Sequence, residues 1–127
     1  MFLEASAILW NNKNEESVNE IFSLLIDNGA NTVDEKDGYS VLHFSVHGNS
    51  VLVSENLINN YHLPINKVNV NGQTPLIMGA KNNAVDTVKL LVDHGADITI
   101  KDNDGYTAYD YALQNNNFDI IDLLVTK

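Results

Sequence analysis

Between residues 84 and 95, "AVDTVKLLVDHG", apolar side chains fall at Val85, Val88, Leu91 and Val92, and Asp86, Lys89 and Asp93 occupy positions between them. Spacings of three and four place the first set along one stripe of a helix and turn the second set away from it. Gly95 follows directly, where a helix end favours a left-handed residue. Just upstream, "TPLIMGAKNN" predicts a shorter helix. Thr74 caps it, and Pro75 takes the first position, where the missing N–H costs nothing and the fixed φ is suitable. Gly79 and Ala80 on this helix are small enough to let a neighbour approach closely.

The arrangement recurs along the chain. "DGYSVLHFSVHGN" (37 to 49), "NGQTPLIMGAKNN" (71 to 83) and "DGYTAYDYALQNN" (104 to 116) align without a gap, with Ser40 and Thr107 in the capping place of Thr74. Gly38 and Gly72 are 34 residues apart, and Gly72 and Gly105 are 33 apart. The second halves agree as well: "FSLLIDNGAN" (22 to 31) matches "VKLLVDHGAD" (88 to 97), and "ENLINNYHLP" (55 to 64) is a weaker copy. Each unit therefore reads as turn, short helix, second helix, turn, and the helix pairs are expected at about 4–28, 41–61, 75–94 and 108–125. One such unit cannot bury its own stripe, so the units must stack. Leu42, Leu76, Ala80, Leu90, Leu91, Ala112, Leu123 and Leu124 are the expected core. A large aliphatic contributes roughly 1.5–3 kcal/mol there, and Ala less.

These residues resemble the ankyrin repeat family, whose period is 33 and whose motif runs Asp-x-x-Gly-x-Thr-Pro-Leu-His before a Gly-Ala-Asp turn. "NVNGQTPLI" through "LLVDHGADI", residues 69 to 98, is the best match. The resemblance implies an all-α solenoid of about four stacked helix-turn-helix units joined by hairpin loops. It would form a single domain over residues 1–127, with units near 1–36, 37–70, 71–103 and 104–127, the first and last acting as caps. The second unit departs from the motif. It has Val41 where the family usually places Pro, an extra residue around Ser50 and "HLPIN" in place of Gly-Ala-Asp, so its turn after Asn60 is expected to be distorted. The first unit lacks the Thr-Pro-Leu-His stretch and carries a longer loop, "NNKNEES". Asp119, Asp122 and Lys127 lend polarity to the outer face of the fourth.

Composition narrows the function. The chain carries 17 acidic and 7 basic residues for a net charge of −10, and from Asp93 to Asp122 seven Asp stand against Lys101 alone. Arg is absent. Nucleic acid and anionic membrane surfaces are disfavoured partners, since both are met by clustered Lys and Arg. A protein with a basic patch is the more natural counterpart. Without Cys there is no disulfide, thiolate metal site or Cys nucleophile. "MFLEASAILW" is short, contains Glu4 and lacks a basic leading region, which makes it a poor signal peptide. No segment approaches the roughly 20 apolar residues that span a bilayer. The expectation is a cytoplasmic monomer, with the nucleus as an alternative compartment.

His43 and His47 stand four apart, a spacing that two metal ligands can share, but no Glu accompanies them in the metalloprotease arrangement. His43 also falls on the His of the family motif, which resembles a hydrogen-bonding partner for the neighbouring turn. "DNDG" (102 to 105) looks like the start of a calcium loop, yet the Glu required six residues after the Gly falls at Tyr111. No Gly-x-Ser-x-Gly elbow, phosphate loop or paired-acid motif is present. Neither an enzyme nor a bound metal or cofactor is expected.

What remains is surface. The resemblance implies that partners meet the hairpin tips and the concave face of the inner helices. Lys36, Asp37, Tyr39 and His47 of the second unit lie on that strip. The third unit adds Val70, Asn71, Gln73 and Lys81, and the fourth adds Asn103, Asp104, Tyr106 and Gln114. Tyr39 and Tyr106 offer rigid amphipathic area of the kind enriched at interface hot spots, or simply pack along their hairpins. The expected function is a non-enzymatic interaction module that inhibits or scaffolds another protein. Asn-rich, Arg-free composition points to an AT-rich genome, so a host-directed effector, or a viral-type inhibitor similar to the ankyrin part of the NF-κB inhibitor, is the alternative. A segment of a longer ankyrin array is a further one.

Overall fold

The computed structural model describes residues 15–126, which form seven helices: α1 (Glu15–Asp27), α2 (Val41–His47), α3 (Val51–Asn59), α4 (Pro75–Lys81), α5 (Val85–Asp93), α6 (Ala108–Gln114) and α7 (Phe118–Val125). The expected first helix of the first unit lies outside the described residues. The expected loop at 11–17 is helical from Glu15, where α1 begins.

Short inner helices alternate with longer outer ones because each inner helix is started and stopped by local chemistry. Ser40, Thr74 and Thr107 adopt extended backbone and accept from the N–H of His43, Ile77 and Asp110 respectively. In α2 and α6 the third residue returns the bond, His43 to the Ser40 backbone and Asp110 to that of Thr107. One residue type breaks the chain between the paired helices: Asn49, Asn83 and Asn116 hold φ of 52°, 61° and 53°. Asn tolerates this left-handed region better than most residues, so three of the many Asn residues have a conformational task.

Inner helix packs on inner helix, α2 on α4 on α6, and outer on outer, α1 on α3 on α5 on α7. The core runs through the stack between the two rows: Phe22, Leu42, Leu57, Leu91 and Ile120 are wholly buried, and Leu76, Ala80, Ala112 and Leu124 join them. Leu90 and Leu123, expected in the core, are only partly buried. They occupy the same outer-helix position as Asn56, whose side chain reaches back to Asn19 and Ser23 of the preceding unit. The position is thus a flank that also suits a polar residue. Gly79 is where the small-residue reading is most exact in its consequence, since a Cβ there would lie 2.8 Å from Val88 and 3.1 Å from Val46.

The extra residue of the second unit is not around Ser50. α3 starts ten residues after α2, as α5 does after α4 and α7 after α6. The insertion lies instead in the turn that leaves α3. In the first and third units Ala30 N–H closes on Leu25 O and Ala96 N–H on Leu91 O, whereas Leu63 N–H reaches one residue further back, to Leu57 O. His62 takes the positive φ, 53°, that Gly29 and Gly95 hold at 88° and 84°. The expected distortion after Asn60 is therefore a turn widened by one residue.

Candidate functional site

Each hairpin is tied by a short acidic or amide side chain folded back on its own loop. Asp102 Oδ1 accepts from the N–H of Asp104 and Tyr106 at 3.0 and 2.9 Å. Asn69 Oδ1 does the same for Asn71 and Gln73 at 2.9 and 3.0 Å. Asp34 Oδ1 accepts from Lys36 N–H at 2.9 Å in a hairpin one residue longer, closed from Asp34 to Tyr39. Such side chains fit turns because they mimic a backbone carbonyl. The "DNDG" acid is therefore committed inward: Asp102 is buried and also accepts from the Tyr111 hydroxyl.

The hairpins are then joined to each other. Val70 N–H donates to Asp37 O at 2.8 Å, and Asn103 N–H donates to Asn71 O at 3.0 Å. Asn103 Nδ2 adds a bond to Val70 O at 2.9 Å. The tips thus form one rung-linked ledge across three units. Behind it the last residues of the inner helices, His47, Lys81 and Gln114, stand exposed in a row. Asn82 Nδ2 meets His47 Nδ1 at 3.3 Å, and Asn115 Nδ2 donates to Lys81 O at 3.1 Å.

Eleven of the twelve residues expected on the strip reach its surface. Lys36, His47, Val70, Asn71, Lys81, Asn103, Asp104, Tyr106 and Gln114 are exposed, and Asp37 and Tyr39 are half-buried. Gln73 does not reach it, being only 7% exposed. Its carbonyl lies 2.9 Å from His43 Nε2, and its Oε1 accepts from Asn69 Nδ2 at 3.2 Å. Gln73 connects two units, which makes it a structural residue. The two tyrosines divide: Tyr39 stacks on Phe44 at 5.8 Å between ring centroids, whereas Tyr106 keeps 43% exposure with an edge contact to Tyr111. Phe44, Met78 and Tyr111 occupy one position in successive inner helices beneath the ledge, and Lys81 Nζ lies 5.7 Å above the Tyr111 ring. Phe44 is half-buried there, and its place in an apolar helical run does not by itself mark it out.

Burial organises the titrating groups. Burial holds the His43 imidazole below its ordinary range and Lys67 adds to this, while the bond to the Gln73 carbonyl opposes it. Both ring nitrogens are engaged, Nδ1 by the Ser40 N–H at 3.1 Å and Nε2 by the Gln73 carbonyl. Nε2 therefore carries the proton, and neither nitrogen is left for a metal. Burial acts to raise the Asp102 carboxyl, but bonds from Tyr111, Tyr106 and Asp104, with Lys81 nearby, outweigh it and hold the group below the usual carboxylate range. Tyr111 is pushed up to about 12 by burial and by the Asp102 carboxylate it donates to. This cluster locks a hairpin to its helix. Among the described residues no three of His, Cys, Asp and Glu gather to hold a metal ion.

A family model described as ankyrin repeats, in three copies, matches residues 51–127. An ankyrin repeat protein of fowlpox virus is 34% identical over 116 residues, covering 84% of this chain and 33% of the relative. An ankyrin repeat protein of variola virus is 33% identical over 104 residues, covering 74% and 17%. A palmitoyltransferase of Saccharomyces uvarum is 33% identical over 87 residues, 65% of this chain but 12% of the enzyme. The chain spans a third or less of each of these relatives.

Proposed function

Because the chain belongs to the ankyrin repeat family, whose units serve as protein-interaction modules, we propose that it binds one partner protein along the ledge and the concave row, without catalysing a reaction. The carrying observation is the pair of backbone rungs, Val70 to Asp37 and Asn103 to Asn71, which makes three hairpin tips one continuous surface. Rigid linkage lowers the ordering cost that loose loops would incur on binding. A strip of this length buries about 800 Å² per partner, an ordinary interface.

Tyr106 and Lys81 are the proposed anchors, flanked by His47, Val70, Asn71 and Gln114. The net charge of −10 favours a partner with a basic patch over nucleic acid or an anionic membrane. No described helix is long and apolar enough to cross a membrane. The protein works as a cytoplasmic monomer that blocks or scaffolds its target, with no cofactor. The fowlpox and variola relatives favour a second reading, in which the target is a protein of an infected host.

The test is affinity capture followed by mass spectrometry, with a variant carrying Ala at Tyr106, Lys81 and His47 beside one carrying Ala at the exposed outer residues Asp86 and Lys89. The expected result is a partner lost from the first variant and retained by the second. A partner held equally by both would move the binding surface off the ledge.

A further inference from the structure

At one hairpin position the second, third and fourth units carry Asp37, Asn71 and Asp104, each followed by a Gly of positive φ. The middle residue is an amide in an Asn-Gly step. Such a step is reactive, because a Gly without Cβ lets its backbone nitrogen approach the preceding side-chain carbonyl closely. The chain has a second Asn-Gly step, Asn28 before Gly29, and the two differ in what holds the amide. Asn28 Nδ2 donates to Leu24 O at 2.7 Å, which ties it to the end of α1. Asn71 is exposed, and among the described residues none hydrogen-bonds its side chain. Its backbone alone is engaged, the N–H donating to Asn69 Oδ1 at 2.9 Å and the carbonyl accepting from Asn103 N–H at 3.0 Å.

We propose that Asn71 is a modification site, at which intramolecular deamidation turns the amide into a carboxylate in the middle of the ledge. Gly72 N attacks Asn71 Cγ and forms a new C–N bond. The Cγ–Nδ2 bond breaks, and the amide nitrogen leaves as ammonia with the Gly72 proton. Water, the one co-reactant, opens the resulting five-membered imide, and no electron donor or acceptor takes part. Opening at Cγ leaves an Asp with ordinary backbone. Opening at the main-chain carbonyl leaves an isoaspartyl link, in which the main chain runs through Cβ and Cγ. The chemistry needs no partner and stands apart from the binding role of the ledge.

The two products meet different fates in this fold. An Asp fits, since Asp37 and Asp104 hold the same place, and Asp37 O accepts the rung from Val70 as Asn71 O accepts that from Asn103. The isoaspartyl link does not. It adds a methylene to a main chain closed by Gly72 N–H on Asn69 O at 2.9 Å, where even a Cβ on Gly72 would lie 2.6 Å from Asn103 Oδ1. That branch therefore separates the third hairpin from the fourth. The closing bond also sets the pace: Gly72 N is free to attack when the hairpin opens locally. Asn103 holds it shut through its N–H and through Nδ2 on Val70 O at 2.9 Å.

The test incubates the full folded chain in mildly alkaline buffer and maps its peptides by mass spectrometry, with isoaspartyl methyltransferase labelling. Residue 71 is expected to gain the mass difference between an amide and a carboxyl before residue 28 does, and the net charge to move one unit beyond −10 on isoelectric focusing. Asn71→Gln, whose longer side chain would need a larger ring, should abolish the gain at 71 and leave that at 28. Asn103→Ala should speed conversion about two- to tenfold, the factor that one net hydrogen bond exerts on an opening equilibrium. Circular dichroism checks that this variant is folded; Asn103→Asp, which removes the Nδ2 donor, serves if it is not. Asn71→Asp should melt as the natural protein does, whereas the isoaspartyl fraction, separated chromatographically, should melt lower. Conversion at 28 before 71, an unmodified residue 71, or conversion there that begins only in denaturant would overturn the proposal. So would a rate indifferent to the Asn103 variants, or an isoaspartyl fraction as stable as Asn71→Asp.

Discussion

The third and fourth units carry nearly the same pattern of apolar positions, yet one is a core and the other partly a surface. Leu76 and Ala80 of α4 are sealed between α2 and α6, whereas Tyr109 and Leu113 at the same places in α6 lie open. In a stack, the pattern states which residues want burial, and the neighbour decides which obtain it. The largest test of that difference is charge. Leu91→Asp puts an unpaired carboxylate at a fully buried site and should cost several kcal/mol, enough to unfold the array. Leu113→Asp should cost under about 1 kcal/mol, as surface changes do. Thermal denaturation followed by circular dichroism compares them, and similar melting for the two would erase the distinction between middle and end.

A smaller contrast lies in the hairpins. Gly105 holds φ of 85° with open space around it, so Gly105→Val suffers only the left-handed strain of a β-branched residue, about 1–2 kcal/mol. Gly72 holds φ of 74°, and its Cβ would also lie 2.9 Å from Asn103 N, the atom that makes the inter-hairpin rung. Gly72→Val should therefore lose more, with the excess reporting the rung. Equal losses in urea denaturation would mean that the hairpins are not tied as their geometry indicates.

Much of this is legible in the sequence, because period, caps and turn glycines are local properties. Thr74 before Pro75 starts a helix whatever surrounds it, and the spacing of Gly38, Gly72 and Gly105 counts the units directly. What local pattern could not carry was the partner of each polar side chain. The many Asn residues read as compositional bias, yet Asn49 Oδ1 accepts from Thr87 Oγ1 at 3.2 Å and Asn117 Nδ2 donates to Asn83 Oδ1 at 3.0 Å, both between adjacent units. A spacing of 33 or 34 among Asn49, Asn83 and Asn116 was the available sign. Gln73 shares the motif position of the strip residues, yet it is buried, with its carbonyl on His43 and its side chain on Asn69.

The smallest expected effect sharpens a comparison of the second unit with the third. At the third residue of the inner helix stand His43 and Ile77, both buried, and only the first can titrate. His43 has its folded-state pKa lowered below 6.5 by burial, so the unfolded chain binds the proton more readily. Its stabilising contribution is fully present above pH 6.5 and is lost progressively as pH falls from there toward the folded-state value, beneath which this group takes away no more. Each unit of difference between the two pKa values corresponds to about 1.4 kcal/mol. Melting temperature measured from pH 8 to pH 5 should fall on the acid side in the natural protein and fall less in His43→Gln, which cannot charge. Parallel curves would show that the imidazole is not held neutral between Ser40 and Gln73, and the bond that joins the second unit to the third would need another donor.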